Sequence, residues 1–237
     1  MKLITWNCQM AFRKKAKFIL KKHPDILIIP ESENLEKLKF KKNVCSPNDA
    51  FWYGDNPHKG LGVYSYSDYK ISLIDRHNPD FRYVVPLSIK NKYIEFILLA
   101  IWGQKPNNGD NYGAQTWNAI NYYSDLLKHK NVIIAGDLNS NTFWDKPNRI
   151  ANHSNIVSKL IMLEIQSTYH YFYNQEQGKE KDATFYLYKD ITKPYHLDYC
   201  FASTFFIKKL KNVTVGGHKD WSHYSDHCPL IVEFDIS

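Results

Sequence analysis

Asn131-Val132-Ile133-Ile134-Ala135-Gly136-Asp137-Leu138-Asn139-Ser140 is the stretch on which the fold turns. Residues 132–135 are apolar without polar alternation, the pattern of a strand covered on both faces. Such a strand belongs inside a layered α/β domain. It ends in Gly136-Asp137-Leu138-Asn139, which sets a carboxylate and an amide at the strand's C-terminal end, where α/β folds collect ligands. An unpartnered carboxylate there would cost several kcal/mol, so Asp137 calls for a cation, a histidine or hydrogen-bond donors. The same tetrapeptide also satisfies an ordinary strand-to-loop turn, since Gly, Asp and Asn all favour turns. What decides between the two readings is whether other strands end the same way.

They do. Residues 3–6 read as a strand that ends at Asn7, and the aliphatic run 26–29 leads through Pro30 to Glu31. Asp198 sits inside the apolar stretch 197–202, and Ser225-Asp226-His227 directly precedes a strand at 229–234. Between these lie an amphipathic helix at 12–22, stopped by His23-Pro24-Asp25, and strands at 60–65, 70–75, 82–89 and 93–101, the last two joined by a turn at Lys90-Asn91-Lys92. Trp117, Ile120, Tyr123, Leu126 and Leu127 recur at helical intervals and predict one helix over 114–128; a shorter helix is expected at 155–163 and a strand at 184–188. Many strands with few helices imply two sheets packed face to face and covered outside by helices, in one domain spanning 1–237.

The chain has 237 residues, enough to bury most of its apolar surface without a disulfide or metal staple. Hydrophobic residues at 43% and aromatics at 15% exclude a disordered chain. No apolar run is long enough for a membrane span, and Met1-Lys2 leads straight into a strand rather than a signal peptide, so a cytoplasmic monomer is expected. Cys8, Cys45, Cys200 and Cys228 show no CxxC spacing and read as buried thiols. The formal charge of +7 favours an anionic partner. Yet only Arg13, Arg76, Arg82 and Arg149 are arginine, which is sparse for dedicated bidentate phosphate recognition. Lys14, Lys17 and Lys21 are expected on the solvated face of the first helix, with a nucleic-acid footprint as the competing reading.

Taken in order, Thr5-Trp6-Asn7, Pro30-Glu31-Ser32, Gly136-Asp137-Leu138-Asn139-Ser140, Leu197-Asp198-Tyr199 and Ser225-Asp226-His227-Cys228-Pro229-Leu230 resemble the endonuclease/exonuclease/phosphatase superfamily, which includes DNase I and the AP endonucleases. The resemblance runs from Thr5 to Leu230. It implies a four-layer α/β/β/α sandwich with its site at one end of both sheets, and Mg²⁺- or Mn²⁺-dependent hydrolysis of a phosphate ester by water. Nucleic acid is the expected substrate; a small phosphorylated metabolite or lipid headgroup is the alternative, and a non-catalytic binding protein on this scaffold is a third reading. By resemblance Glu31 is the main metal ligand, with Asn7 and Asp226 beside it. Asp137 would orient or deprotonate the attacking water, Asn139 would donate to the phosphate, and His227 would contact the scissile phosphate while Asp198 fixes its tautomer. Hard oxygen ligands without thiols agree with magnesium or manganese rather than zinc.

Two positions depart from the pattern. Trp102 closes the strand at 93–101, where relatives usually carry a titratable donor; it either walls the cleft or stacks on a base or sugar. His170 and His196 flank the Asp198 motif, His196 as a phosphate contact and His170 as a substitute acid or an ordinary structural histidine. Glu31 and Asp226 have no positive side chain within their own motifs, so a divalent ion is expected to supply the charge.

Overall fold

Alternation within the strands builds the layers. In the computed structural model, which describes residues 1–105 and 111–236, two six-stranded sheets lie face to face among those residues. The first runs β13 (Leu210–Val215), β14 (Leu230–Phe234), β1 (Lys2–Thr5), β2 (Ile26–Ser32), β4 (Lys59–Ser65), β3 (Asp49–Asn56). The second runs β5 (Lys70–Leu73), β6 (Val84–Lys90), β7 (Glu95–Trp102), β8 (Val132–Asp137), β12 (Asp198–Ser203), β9 (Ile165–Ser167). A short ribbon pairs β10 (Phe185–Tyr186) with β11 (Pro194–Tyr195).

Ile26 and Ile28 of β2 join Leu3, Val63, Ala100, Ile133 and Ala135 in the core between the sheets. Leu27 and Ile29 point the other way, under α1 (Phe12–Ile19). On the second sheet, Val132 and Ile134 face outward to meet α2 (Tyr112–Tyr122) and α4 (His153–Met162). The uninterrupted aliphatic runs are therefore the two central strands, each buried on both faces. Each such side chain contributes about 1.5–3 kcal/mol on burial. Helix, sheet, sheet and helix stack as expected.

The first helix places Phe12, Ala16 and Ile19 on its buried face and leaves Lys14 and Lys17 exposed, with Lys21 exposed in the turn that follows. Exposure of those lysines suits a solvated face and a nucleic-acid footprint alike. Its N-terminus has no side-chain cap from its own segment. Instead Glu33 reaches across from the end of β2, accepting from the backbone N–H groups of Phe12 (2.6 Å) and Arg13 (3.2 Å) and pairing with the Arg13 guanidinium.

Several sequence expectations need correction. The segment 114–128 is two helices, α2 and α3 (Ser124–Leu127), because the buried Tyr123 turns inward, its hydroxyl accepting from Asn78 N–H at 2.9 Å. Only Phe185–Tyr186 of the expected 184–188 strand pairs, since Tyr188 and Lys189 adopt positive φ. Strands β3 and β13 were not legible; both lie at sheet edges and are mostly half-exposed, without clean alternation. Three short helices, α5 (Thr168–Tyr173), α6 (Thr204–Ile207) and α7 (His218–Trp221), also went unpredicted. Cys8, Cys200 and Cys228 are buried as expected, but Cys45 is exposed.

Candidate active site

Strand direction gathers the polar residues. Strands β1 and β2 are parallel, so Asn7 and Glu31 emerge at the same end, and antiparallel β14 begins there, just after His227. In the second sheet β7 and β8 are parallel, pairing Trp102 with Asp137, while antiparallel β12 sets Asp198 directly opposite Asp137. Contacts then bridge the sheets: Asn7 Nδ2 donates to Asp137 Oδ2 at 3.0 Å, and His227 Nδ1 lies 2.7 Å from Asp198 Oδ2.

Two backbone irregularities aim the carboxylates. The β2–β4 register slips between Pro30 and Ser32, leaving Glu31 unpaired at φ +63° and turned out of the ladder. Gly136 adopts φ +148°, and a Cβ there would overlap Ile101 O. Only glycine lets β7 approach β8 so closely just before Asp137.

Asp137 is fully buried, held by Asn7 Nδ2, by Asn139 N–H on Oδ1 (2.9 Å) and by Asn139 Nδ2 on Oδ2 (3.1 Å). His227 Nε2 stands 3.8 Å from the same Oδ2, an ion-pair separation too long for a hydrogen bond. Burial lifts the Asp137 carboxyl well above the ordinary carboxylate range, and the charge of His227 offsets this only in part. For His227, burial favours the neutral ring, but the carboxylates of Asp198 and then Asp137 outweigh it and hold the imidazolium above the usual histidine range. Phe185 packs on the ring at 4.7 Å, and the backbone around it is fixed by Ser225 Oγ, which accepts from His227 N–H and donates to Asn7 O.

The remaining residues divide. Glu31 lies 3.4 Å from Asn7 Nδ2 and 3.4 Å from the Lys59 ammonium. Lys59 thus supplies Glu31 with a cation that its own motif lacks, a partner invisible in the sequence. Asn7 shows nitrogen, not oxygen, to Glu31, because its Oδ1 accepts from Gln9 N–H; in this orientation it bridges two carboxylates rather than offering a metal ligand. Asn139 spends both amide hydrogens on Asp137 and Gly103 O, an arrangement that steadies Asp137. Asp226 is half-buried beside His227, its Oδ1 3.3 Å from Ser225 Oγ.

Trp102 is 4% exposed, packed in the core between the sheets with Tyr83 at 4.6 Å. It walls the cleft and has no free face for a base. His170 is tied between Ser167 Oγ (2.7 Å) and Glu180 Oε1 (3.0 Å), so both of its ring nitrogens already have partners within the protein. His196 is buried with Nδ1 on Asp182 O, and its Nε2 has no hydrogen-bond partner. Sequence reading missed Lys59 and the Glu180–Asn141 brace, in which Asn141, just past the Gly136–Asn139 loop, also reaches Tyr199 and His196 O. None of them stands in a motif.

Which residues fit a divalent ion follows from the donors. Asp137, Asp198 and His227 lie within metal-binding reach of one another. There, however, His227 Nδ1 and Asp198 Oδ2 already hold each other at 2.7 Å, which makes that group an imidazolium–carboxylate pair. Glu31, only 17% exposed at its side chain and already drawing an ammonium, is the better fit: a hard oxygen donor in a region of excess negative charge.

Beside Asn139 a cavity of about 340 Å³ opens, lined in part by Trp144, Arg149, His153, Phe185 and Leu197. Phe185 connects it to His227.

Comparison with known proteins bears on the fold and the family. No curated protein sequence shows significant similarity to the chain. Among solved structures, an AP endonuclease from Archaeoglobus fulgidus superposes with a TM-score of 0.68 at 16% identity, over 100% of both chains. The 3'-5' exonuclease NExo from Neisseria meningitidis gives 0.66 at 17%, over 99% of this chain and 100% of its own. The endonuclease domain of TRAS1, a telomere-specific non-LTR retrotransposon, gives 0.66 at 14%, over 99% and 98%. At such identities the likeness establishes the fold. The model of the endonuclease/exonuclease/phosphatase family matches residues 4–227, and to that family the chain belongs.

Proposed function

We propose that this chain is a divalent-metal-dependent phosphodiester hydrolase acting on nucleic acid. The observation that carries the reading is the buried Asp137–His227–Asp198 arrangement. A carboxylate with a raised pKa is set against an imidazolium held charged by a second carboxylate, which is a base and a cationic donor side by side. Asp137 accepts the proton of the attacking water, with Asn7 and Asn139 fixing its two oxygens. His227, oriented by Asp198, donates to a phosphate oxygen as negative charge builds there. Glu31 would hold Mg²⁺ or Mn²⁺, with Asp226 near it; when bound, the ion supplies charge relief at the phosphate.

For the substrate, the 340 Å³ cavity next to Asn139 has an aromatic wall (Trp144, Phe185) and a cation (Arg149), which suits an unpaired nucleotide beside the scissile phosphate. One protein of similar fold, the 3' phosphatase NExo from Neisseria, has been solved bound to product DNA hairpin, and superposes with a TM-score of 0.67 at 16% identity over 99% of both chains. DNA binding is a property of that protein, and it motivates DNA as the first substrate to try. The cavity also keeps a small phosphoester as the second reading.

The test is hydrolysis of duplex DNA, single strands, RNA, an abasic duplex and a panel of small phosphomonoesters with Mg²⁺ or Mn²⁺. Activity is expected on a nucleic acid, lost in excess EDTA and restored by either ion. Asp137→Asn and His227→Ala are each expected to lower kcat by at least ~10²-fold while remaining folded. Full activity in chelator, or near wild-type rates in both variants, would overturn the reading; turnover of small esters alone would select the second.

A further inference from the structure

Lys59 opens β4 immediately after the turn at Pro57 and His58. Its ammonium stands 3.4 Å from Glu31 Oε2 and 5.1 Å from the centroid of the Trp102 ring. One contact is with the carboxylate best suited to a metal; the other is with the aromatic wall of the cleft. The backbone that carries Lys59 is closely fixed. At Gly60 a Cβ would overlap the Trp52 ring, so the Trp52 side chain of neighbouring β3 lies directly over the start of β4, and its Nε1 donates to Ser32 O at 3.0 Å, beside the bulge that presents Glu31.

Following the polar contacts from Lys59 crosses the whole cleft. The order is Lys59, Glu31, Asn7, Asp137, His227, with successive separations of 3.4, 3.4, 3.0 and 3.8 Å. The two cations stand at the ends and the carboxylates lie between them. An anionic phosphate entering this cleft is repelled by the middle of the row and attracted by both ends. The Lys59 side chain is 37% exposed, so its ion pair adds little to folding. Its position matters for what enters the cleft.

We propose that Lys59 is a phosphate-binding residue of this active site. Its ammonium pairs with Glu31 while no metal is bound and with a non-bridging phosphate oxygen once Glu31 is engaged by the ion; the Trp102 face keeps it at the cleft in both conditions. This rests on the reading of the chain as a metal-dependent phosphoesterase. It also gives Trp102 a place: the indole carries no titratable proton, and it holds a cation where one is needed.

The consequence is an exchange of partners that can be measured without turnover. Lys59 and the divalent ion compete for Glu31, so removing the ammonium should strengthen metal binding and weaken phosphate binding. In the full-length chain, Lys59→Met and, separately, Lys59→Gln would be compared with wild type by calorimetric titration of Mn²⁺, then of inorganic phosphate with Mn²⁺ present. Circular dichroism would verify that each variant is folded; one folded variant suffices. We expect Mn²⁺ to bind about twofold to fivefold more tightly and phosphate about tenfold more weakly. Unchanged or weaker Mn²⁺ binding overturns the competition for Glu31, and unchanged phosphate affinity overturns the phosphate contact. Failure of the phosphoesterase reading would show separately, as a wild-type protein inactive on every ester while these titrations still report on Lys59.

Discussion

At the scale of single residues, the sharpest consequence concerns pH. Asp137 must be deprotonated to accept a proton, and its raised pKa places the acid limb of kcat/KM above the ordinary aspartate value of about 3.9. His227 must stay protonated to donate, and its raised pKa carries the alkaline limb above the ordinary histidine value of about 6.5. Activity therefore rises with pH through the first group and falls through the second, with apparent values belonging to the coupled pair. In Asp198→Asn the alkaline limb should move down toward neutrality, because the main charge that holds the imidazolium is gone. A wild-type profile already falling near pH 6.5 would contradict the arrangement. His170 provides the contrasting case. Its Nε2 serves Glu180, whose pKa falls to about 2 because donors including His170 Nε2 and Gly178 N–H outweigh the burial that would raise it. His170→Ala should lower stability by about 1–3 kcal/mol in a denaturant titration. Any loss of rate should be equal for alkoxide and nitrophenyl esters; a selective loss on the alkoxide would return His170 to an acid's role.

Elements set the directions in which these residues point. The bulge in β2 frees Glu31 from the ladder, and the glycine at the end of β8 lets β7 approach just before Asp137. Gly136→Ala would force a Cβ against Ile101 O in a backbone region closed to other residues, with no flexible side chain to yield. A loss of stability of at least about 2 kcal/mol is expected by chemical denaturation, along with lower activity from a displaced Asp137. A Gly136→Ala protein as stable as wild type would mean the two strands can separate cheaply there. Helix α1 shows the same dependence between elements, since its first N–H groups are capped by Glu33 from β2 rather than by a local residue.

For the whole molecule, the formal charge of +7 and the row of carboxylates in the cleft act in opposite senses on a polyanion. Attraction must come from the surrounding lysines and, on the proposed reading, from a divalent ion at Glu31, so it should be sensitive to salt. If nucleic acid is the substrate, log Kd should rise linearly with log salt, with a slope of about 0.9 per neutralised phosphate on duplex DNA. Binding measured by fluorescence anisotropy between low and physiological salt checks this; a flat response would favour a small phosphoester in the cavity beside Asn139. No helix among the described residues is long and apolar enough to cross a membrane.

What the sequence by itself determined was the set of strand-end motifs and the central layers. Aliphatic runs such as 26–29 and 132–135 can only be buried, and polar residues that end such runs must meet one another or a ligand. The family resemblance of Asn7, Glu31, Asp137, Asp198 and His227 could be read for that reason. What only the tertiary structure decided were the partners contributed by other segments. Lys59 meets Glu31 across 28 positions because a bulge and a hairpin bring them together, Glu33 caps a helix that precedes it, and Glu180 braces His170 through a loop. Trp102 and Asn139 show the same cause at work: one is packed in the core, and the other has both amide hydrogens already held. A residue type announces what it can donate or accept, but burial and the neighbours already holding its hydrogens decide what it has left to give.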